Sequence, residues 1–137
     1  MGAIERADGW ELRLFAVIAD AEGVPFGYGS QDCFRFACAA IEALTGVDHW
    51  AAYAGRYQTR ADAYALIAEH GGLSEGMDWL CGPRVAASHA RRGDIVCIDT
   101  PLGEALGVCL GVDAAVLGDV GLRYVPVADA LCAWRIG

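Results

Sequence analysis

Residues 26–36, with the sequence FGYGSQDCFRF, place a thiol where a glycine-containing loop meets an apolar segment. Apolar side chains recur at helical spacing after Cys33, so this cysteine is predicted to lie at a helix start. Asp32, directly before it, is predicted to cap that helix. Backbone N–H groups and the helix dipole favour a thiolate there, and the thiolate is the nucleophilic form of cysteine. Cys33 is therefore a candidate nucleophile, and a buried structural cysteine is the alternative.

A cysteine nucleophile needs a partner that accepts the thiol proton and later protonates the leaving group, a role that imidazole usually fills. The chain has three histidines. His70 falls at a predicted helix C-terminus, where a cation suits the helix dipole, so a capping role is favoured. His49 lies sixteen residues after Cys33 and could fold back towards it. His89 precedes the predicted turn RRGD and is the preferred candidate for the base.

The elements that must position these residues fall into two groups. Helical patterns cover residues 8–21, 32–45 and 59–72, and residues 47–57 form a short helix or a turn. After Gly76 the pattern changes to short strand-like segments, RRGDIVCID, EALGVCLGVDAAVLG, GLRYVPV and CAWRIG. Helices in the first half and strands in the second half predict an α+β fold with an antiparallel sheet.

Length, composition and charge exclude several classes of protein. The 137 residues fit one domain, residues 1–137, and 55% hydrophobic residues suffice for a core. The net charge of −8 and the scattered basic residues argue against nucleic acid as a partner. No apolar stretch of about 18 residues is free of charge or glycine, so no membrane span is predicted. The N-terminal residues contain no apolar region typical of a signal peptide.

The remaining polar and sulfur-containing residues predict no cofactor and no metal. The six cysteines include no C-x-x-C pair, and Cys97 and Cys109 lie in apolar runs where cysteine packs as a small hydrophobic residue. Asp94, Asp99 and Glu104 lack the spacing of a calcium loop and are interpreted as a solvated face. The four tryptophans could line a sugar-binding groove, although core packing is the commoner role. Nothing in the sequence favours a small-molecule-binding module.

In their order along the chain, these motifs resemble the NlpC-type cysteine peptidases, papain-like enzymes that cut peptide bonds in bacterial cell walls. In that family an aromatic, glycine-rich loop leads to Asp-Cys at a helix start, and a Gly-Asp turn later opens a strand. The corresponding residues here are Tyr28, Gly29, Asp32, Cys33, Gly93 and Asp94. The resemblance implies a papain-like fold with N-terminal helices packed on a sheet of about five strands. It also implies Cys33 as the nucleophile, with Asp32 and Tyr28 in support.

The resemblance fails at the residue expected to be the base. In NlpC-type peptidases the next strand begins with the catalytic histidine, in a pattern close to His-Val-Gly-Ile-Tyr-Leu-Gly. The corresponding segment here is ALGVCLG, residues 105–111, and the histidine position falls on Ala105. Alanine cannot take the thiol proton. The resemblance therefore implies a peptidase-like fold without its usual base, and His89 is the candidate that could replace it.

Residues 10–136 also resemble an uncharacterised family from tailed phages and prophages, distantly related to the NlpC group and encoded among tail genes. The motifs that carry this resemblance are WELRL, FGYGSQDC, ALTGVD, HGGL, RRGDIV, LGVCLG and AWRIG. It implies a virion component at the tail tip or baseplate hub of a phage or gene-transfer agent, made in the host cytoplasm, with other tail proteins as partners. The alternative is an active cell-wall endopeptidase or amidase that acts on peptidoglycan through Cys33.

Overall fold

The computed structural model describes residues 5–137, in which four α-helices precede a five-stranded antiparallel sheet. The helices and strands are α1 Trp10–Ala21, α2 Cys33–Thr45, α3 Arg60–Ala68, α4 Leu73–Cys81, β1 Ile95–Thr100, β2 Gly103–Cys109, β3 Asp113–Gly118, β4 Gly121–Pro126 and β5 Cys132–Trp134. This arrangement confirms the predicted α+β class. Residues 1–4, part of the stretch for which the sequence predicts no signal peptide, lie outside the described range.

The sheet has the strand order β4-β3-β2-β1-β5, and every neighbouring pair is antiparallel. In the β1–β2 register, Cys97 lies opposite Leu106 and Ile98 lies opposite Ala105. Successive side chains of a strand point to opposite faces of the sheet. Leu106 packs in the core on the helix side, so Ala105 and Ile98 belong to the opposite face. This alternation decides which β2 residues can approach Cys33.

The larger core lies between the helices and one face of the sheet. Phe36, Ala40 and Leu44 of α2 pack there with Leu14 of α1 and with Trp134 of β5. α2 contacts β2 directly, and α1 packs on α2. Burial of each large apolar side chain contributes about 1.5–3 kcal/mol, which holds α2 firmly against the strands. The helix that begins with Cys33 is thus the central helix of the molecule.

The opposite face of the sheet carries a smaller core and no α-helix in residues 5–137. Val96, Ile98, Cys109 and Ala133 pack there. Single-turn 3₁₀ helices at Ala87–His89 and Val127–Asp129 contact each other, and the first of them contacts β5. Both faces of the sheet are therefore covered, by helices on one side and by irregular segments on the other.

α4 was not expected from the sequence, where the last helical pattern ends at residue 72 and strand-like segments follow Gly76. Instead Gly76 lies inside α4, and the preceding predicted helix, α3, ends at Ala68. A glycine inside a helix costs about 1 kcal/mol relative to alanine. Packing offsets this cost, because α4 buries Met77 and Gly76 lies against the side chain of His70. Tertiary contacts rather than local preference determine this helix.

Asp94, interpreted from the sequence as part of a solvated face, is fully buried, and that interpretation was wrong. Its Oδ1 accepts hydrogen bonds from the Ile136 backbone N–H at 2.9 Å and from Arg6 Nη2 at 3.0 Å. Its Oδ2 accepts from the Arg91 backbone N–H at 2.8 Å. The carboxylate of the Gly-Asp turn therefore ties the start of the described chain to its end.

None of the helices between residues 5 and 137 has the length and apolar character needed to cross a bilayer.

Candidate active site

Cys33 is the first residue of α2, as the sequence predicted. Asp32 precedes it in an extended conformation, and its Oδ1 accepts a hydrogen bond from the Arg35 backbone N–H at 2.8 Å. Asp32 is therefore the N-cap of α2 and fixes the direction in which the chain enters the helix.

The second carboxylate oxygen of Asp32 holds the loop before Cys33. Oδ2 accepts hydrogen bonds from the Gly29 backbone N–H at 2.8 Å and from the Tyr57 hydroxyl at 2.6 Å. Gly29 has φ +79, and a side chain there would collide with the Tyr57 carbonyl. Burial, and then the hydrogen bond to Asp32, raise the pKa of Tyr57, so this phenol stays protonated and donates. Sequence analysis missed Tyr57, because nothing near it in the chain links it to Asp32.

The Cys33 thiol lies among backbone donors in a crowded environment. The backbone N–H groups of Leu106, Cys33 and Phe34 lower the pKa of the thiol. Burial acts more strongly in the opposite direction and raises the pKa of the thiol to about 11. The loop has the geometry of a nucleophile site, but burial disfavours the thiolate form of Cys33.

Cys33 opens onto a cavity of about 200 Å³ between the loop, α3, α4 and the β1–β2 turn. Leu66 and Ile67 of α3 and Leu73 and Leu80 of α4 line it. The Tyr64 hydroxyl lies 3.4 Å from the Leu102 carbonyl oxygen and joins α3 to the β1–β2 turn across the cavity. Six aromatic side chains also line it: Phe26, Tyr28, Phe34, Tyr53, Tyr57 and Tyr64.

The structure does not bring the preferred base and Cys33 together. His89 is exposed in the 3₁₀ turn Ala87–His89, which packs with β5 and is not part of the cavity wall. His70 does line the cavity, with its ring 5.2 Å from that of Trp79. His49 precedes the 3₁₀ turn Trp50–Ala52 and does not line the cavity. In residues 5–137 no imidazole nitrogen hydrogen-bonds to Cys33.

Ala105, where the sequence resemblance places the histidine position, does not line the cavity. Ala105 lies opposite Ile98, on the face of β2 away from α2. The β2 side chains on the helix side are those of Glu104 and Leu106, and Glu104 lines the cavity. Glu104 Oε1 accepts a hydrogen bond at 3.1 Å from Ser74, which is buried. The mouth of the cavity therefore carries a carboxylate. The sequence contained a signal for this position: Leu106 and Val108 are core residues at alternate positions of β2, so Glu104 belongs to the same face.

The described residues 5–137 contain no group of three or more His, Cys, Asp or Glu side chains that could hold a metal ion, and no tryptophan lines the cavity. The cysteines among the described residues are free thiols. Trp134 is fully buried in the core. The chemistry available in this cavity is thus that of one thiol, a few carboxyl and hydroxyl groups, and one imidazole.

The α+β arrangement, in which helices pack on one face of an antiparallel sheet, is that of an NlpC/p60-like fold. The crystal structure of the NlpC/p60 domain of peptidoglycan hydrolase SagA matches with a TM-score of 0.54 and 16% identity, over 90% of this chain and 97% of that chain. Residues 5–136 match the family described as domain of unknown function DUF6950, and the chain belongs to this family. No curated protein matches the sequence.

Proposed function

We propose that this domain is a non-hydrolytic member of the NlpC/p60-like fold and a structural component of a phage or gene-transfer-agent tail tip or baseplate hub. One observation supports the proposal that the domain is non-hydrolytic. The thiol of Cys33 has no imidazole hydrogen-bonded to it in residues 5–137, and the β2 side chain that lines its cavity is the carboxylate of Glu104.

The electrostatics of the cavity support an inactive thiol. Burial raises the pKa of the Cys33 thiol to about 11, which disfavours the thiolate at neutral pH. A general base could compensate for this, but a carboxylate is too weak a base to match a thiol of that pKa. The negative charge of Asp32 also raises the pKa of Cys33. A peptidase-like fold whose cysteine lacks a base is suited to binding a ligand or a partner rather than to hydrolysing a substrate.

The place of the domain in a virion tail is proposed from the sequence resemblance to the phage-tail family. Exposed apolar side chains on α1 support a contact surface for other tail proteins. Leu12 and Phe15 of α1 are 78% and 68% exposed, while Leu14 of the same helix is buried against α2. Neighbouring exposed apolar side chains of this kind are typical of contact surfaces.

This proposal is tested in particles produced by a host that carries the gene cluster. We expect mass spectrometry of purified particles to detect the domain. A variant with Leu12→Asp and Phe15→Asp is expected to fold but to be lost from particles. Val112→Asp, at a position 84% exposed in the β2–β3 turn, is the matched control and should be incorporated normally. Particles that never contain the domain would overturn the virion assignment.

The second candidate is an active peptidoglycan endopeptidase or amidase. The observation that favours it is the retained nucleophile loop, in which Asp32 caps α2 and Cys33 is the first residue of that helix. The discriminating assay incubates purified protein with cell-wall stem peptides and follows cleavage by mass spectrometry. Sustained cleavage that Cys33→Ala abolishes would establish the enzyme and refute the non-hydrolytic proposal. We expect no cleavage by either protein.

A further inference from the structure

The cavity beside Cys33 carries formal negative charge and no arginine. Among the residues that line it, the carboxylates are Asp32 and Glu104, and none of the ten basic residues of the chain, all arginines, takes part. Asp32 already accepts from three donors. Glu104 accepts one hydrogen bond, from Ser74, and forms no ion pair with the residues described in the structure. Glu104 is thus free to pair with a cation that enters the cavity.

The walls of the cavity are suited to the same kind of ligand. Six aromatic rings line it, and the face of an aromatic ring attracts cations. Two of these rings already hold a cation within the molecule. The Arg60 guanidinium carbon lies 5.1 Å from the centre of the Tyr64 ring, and that of Arg56 lies 5.7 Å from the centre of Tyr53. Neither arginine lines the cavity, so the space inside it is left for another cation.

The size and polarity of the cavity limit the ligand further. Pockets for drug-sized molecules measure about 300–1,000 Å³, and this cavity measures about 200 Å³. The aliphatic side chains of α3 and α4 leave few polar groups to replace the water shell of a small inorganic ion. A cation with apolar substituents loses less hydration on entry and gains contacts with these walls.

We propose that the cavity binds a small organic cation, an ammonium group with apolar substituents, between the tyrosine rings and the carboxylate of Glu104. The inference deepens the proposed non-hydrolytic role and rests on it, because the cavity then holds a ligand without turnover. The same ammonium chemistry occurs in free small molecules and in alkylated lysine side chains. The experiment separates these two sources.

The first arm compares choline with 3,3-dimethylbutan-1-ol, its neutral isostere, by NMR titration of the purified chain. We expect choline to shift resonances of the cavity tyrosines and to bind at least about fivefold more tightly than the alcohol. Added salt should weaken choline binding and leave the alcohol unchanged. Equal binding of the two compounds, or no binding of choline, would overturn the proposal.

The second arm titrates Nα-acetyl-trimethyllysine amide and Nα-acetyl-lysine amide. Tighter binding of the trimethylated compound than of choline supports a side chain of a partner protein as the source, and the reverse order supports a free small molecule. Tighter binding of the unmodified lysine compound than of either alkylated cation would contradict the requirement for apolar substituents. None of these compounds is a stem peptide, so binding and stem-peptide cleavage are measured separately. Hydrolysis of stem peptides would therefore refute the non-hydrolytic role without changing these titrations.

Variants connect the binding to named residues. Glu104→Gln keeps an acceptor for Ser74 but removes the charge, and it should weaken choline binding by about fivefold, the upper range for a partly exposed ion pair. Glu42→Gln, the same change on an exposed residue of α2 outside the cavity, is the matched control. Ala63→Leu should block the cavity and abolish binding. Circular dichroism establishes that each variant is folded, and a folded Glu104→Gln protein with unchanged choline affinity would refute the site.

Discussion

At the residue scale, the helix start and the surrounding protein act on the Cys33 thiol in opposite directions. A charge at a helix terminus gains about 0.3–1 kcal/mol from the dipole. The rise of the pKa to about 11, some two units above its ordinary value, corresponds to about 3 kcal/mol against the thiolate. The effect of burial is the larger of the two, so a position at a helix N-terminus is insufficient to identify a reactive cysteine. The burial and the charges around the sulfur determine whether the thiolate forms.

The reactivity of Cys33 should follow this raised pKa. We expect iodoacetamide to label Cys33 slowly at pH 7.5 and faster as the pH rises towards about 11, because only the thiolate reacts. Peptide mapping after timed labelling gives the rate at this position. Free cysteine, whose pKa is near 8.5, provides the reference curve. Half-maximal labelling of Cys33 below pH 8 would mean that the thiol is activated, as a peptidase requires.

Three carboxylates that the sequence analysis grouped as a solvated face differ in their exposure. They are Asp94, Asp99 and Glu104. Of the three, Asp99 and Glu104 are exposed, and Asp94 is fully buried. A carboxylate of this kind is identified only by partners that are distant in sequence, here Arg6 and Ile136. Spacing along the chain contains no information on such contacts, whereas the position of Glu104 follows from strand alternation once the core residues of β2 are known.

At the element scale, the parts of the fold with strong local signals could be predicted. The period of apolar residues located α1 and α2, and the predicted cap Asp32 marked the start of α2. α4 escaped prediction because its stability comes from burial of Met77 and Ser74 rather than from its glycine-containing sequence. The segment ALGVCLG was predicted to contain a strand and includes most of β2, but only the β1–β2 register shows that Ala105 lies opposite Ile98.

The two helix caps should differ in their contribution to stability. Thr59 accepts one hydrogen bond, from the Asp62 backbone N–H at 3.2 Å at the exposed start of α3. Thr59→Ala should therefore cost about 1 kcal/mol in the free energy of unfolding. Asp32 accepts three hydrogen bonds and is buried, so Asp32→Ala should cost about 3 kcal/mol, because it also leaves the Tyr57 hydroxyl without its acceptor. Urea unfolding measures both values, and equal losses would refute the role of Asp32 as the anchor of the loop.

At the scale of the whole molecule, the buried Asp94 joins segments that are far apart in the chain. It binds Arg6 before α1, Arg91 before β1 and the backbone N–H of Ile136 after β5. These segments come together only in the folded chain. Because the carboxylate is fully buried, its interactions are screened by salt less than those of the surface pairs of Arg84. Asp94 thus contributes to global rather than local stability.

Removal of this charge should lower the global stability. Asp94→Asn leaves two guanidinium groups facing a neutral amide, and we expect a loss of about 3–5 kcal/mol in the free energy of unfolding. Asp99→Asn, on an exposed residue of β1, is the matched control and should change stability by no more than about 0.5 kcal/mol. Urea unfolding in low and high salt gives the comparison. A loss for Asp94→Asn that disappears in high salt would place the interaction at the surface and contradict this account.

Four cysteines whose pKa is raised by burial are expected to make the fold sensitive to alkaline pH. Burial raises the pKa of Cys33 and Cys81 to about 11 and that of Cys38 and Cys97 to about 12. A group whose pKa is higher in the folded state than in the unfolded state stabilises the fold fully below the unfolded pKa. That contribution is lost as the pH rises to the folded pKa, because the unfolded chain then binds fewer protons. Stability should therefore fall between about pH 9 and pH 12.

Each thiol that ionises only on unfolding should contribute a slope of about 1.4 kcal/mol per pH unit in this range. Urea unfolding under reducing conditions at successive pH values from 8 to 11 measures the total slope. Cys97→Ala removes one such thiol from the core, so its stability should be lower than that of the parent chain at pH 8. Its decline above pH 9 should nevertheless be shallower by about 1.4 kcal/mol per unit. Parallel curves for the two proteins would show that Cys97 ionises equally in both states, and that burial does not control its proton.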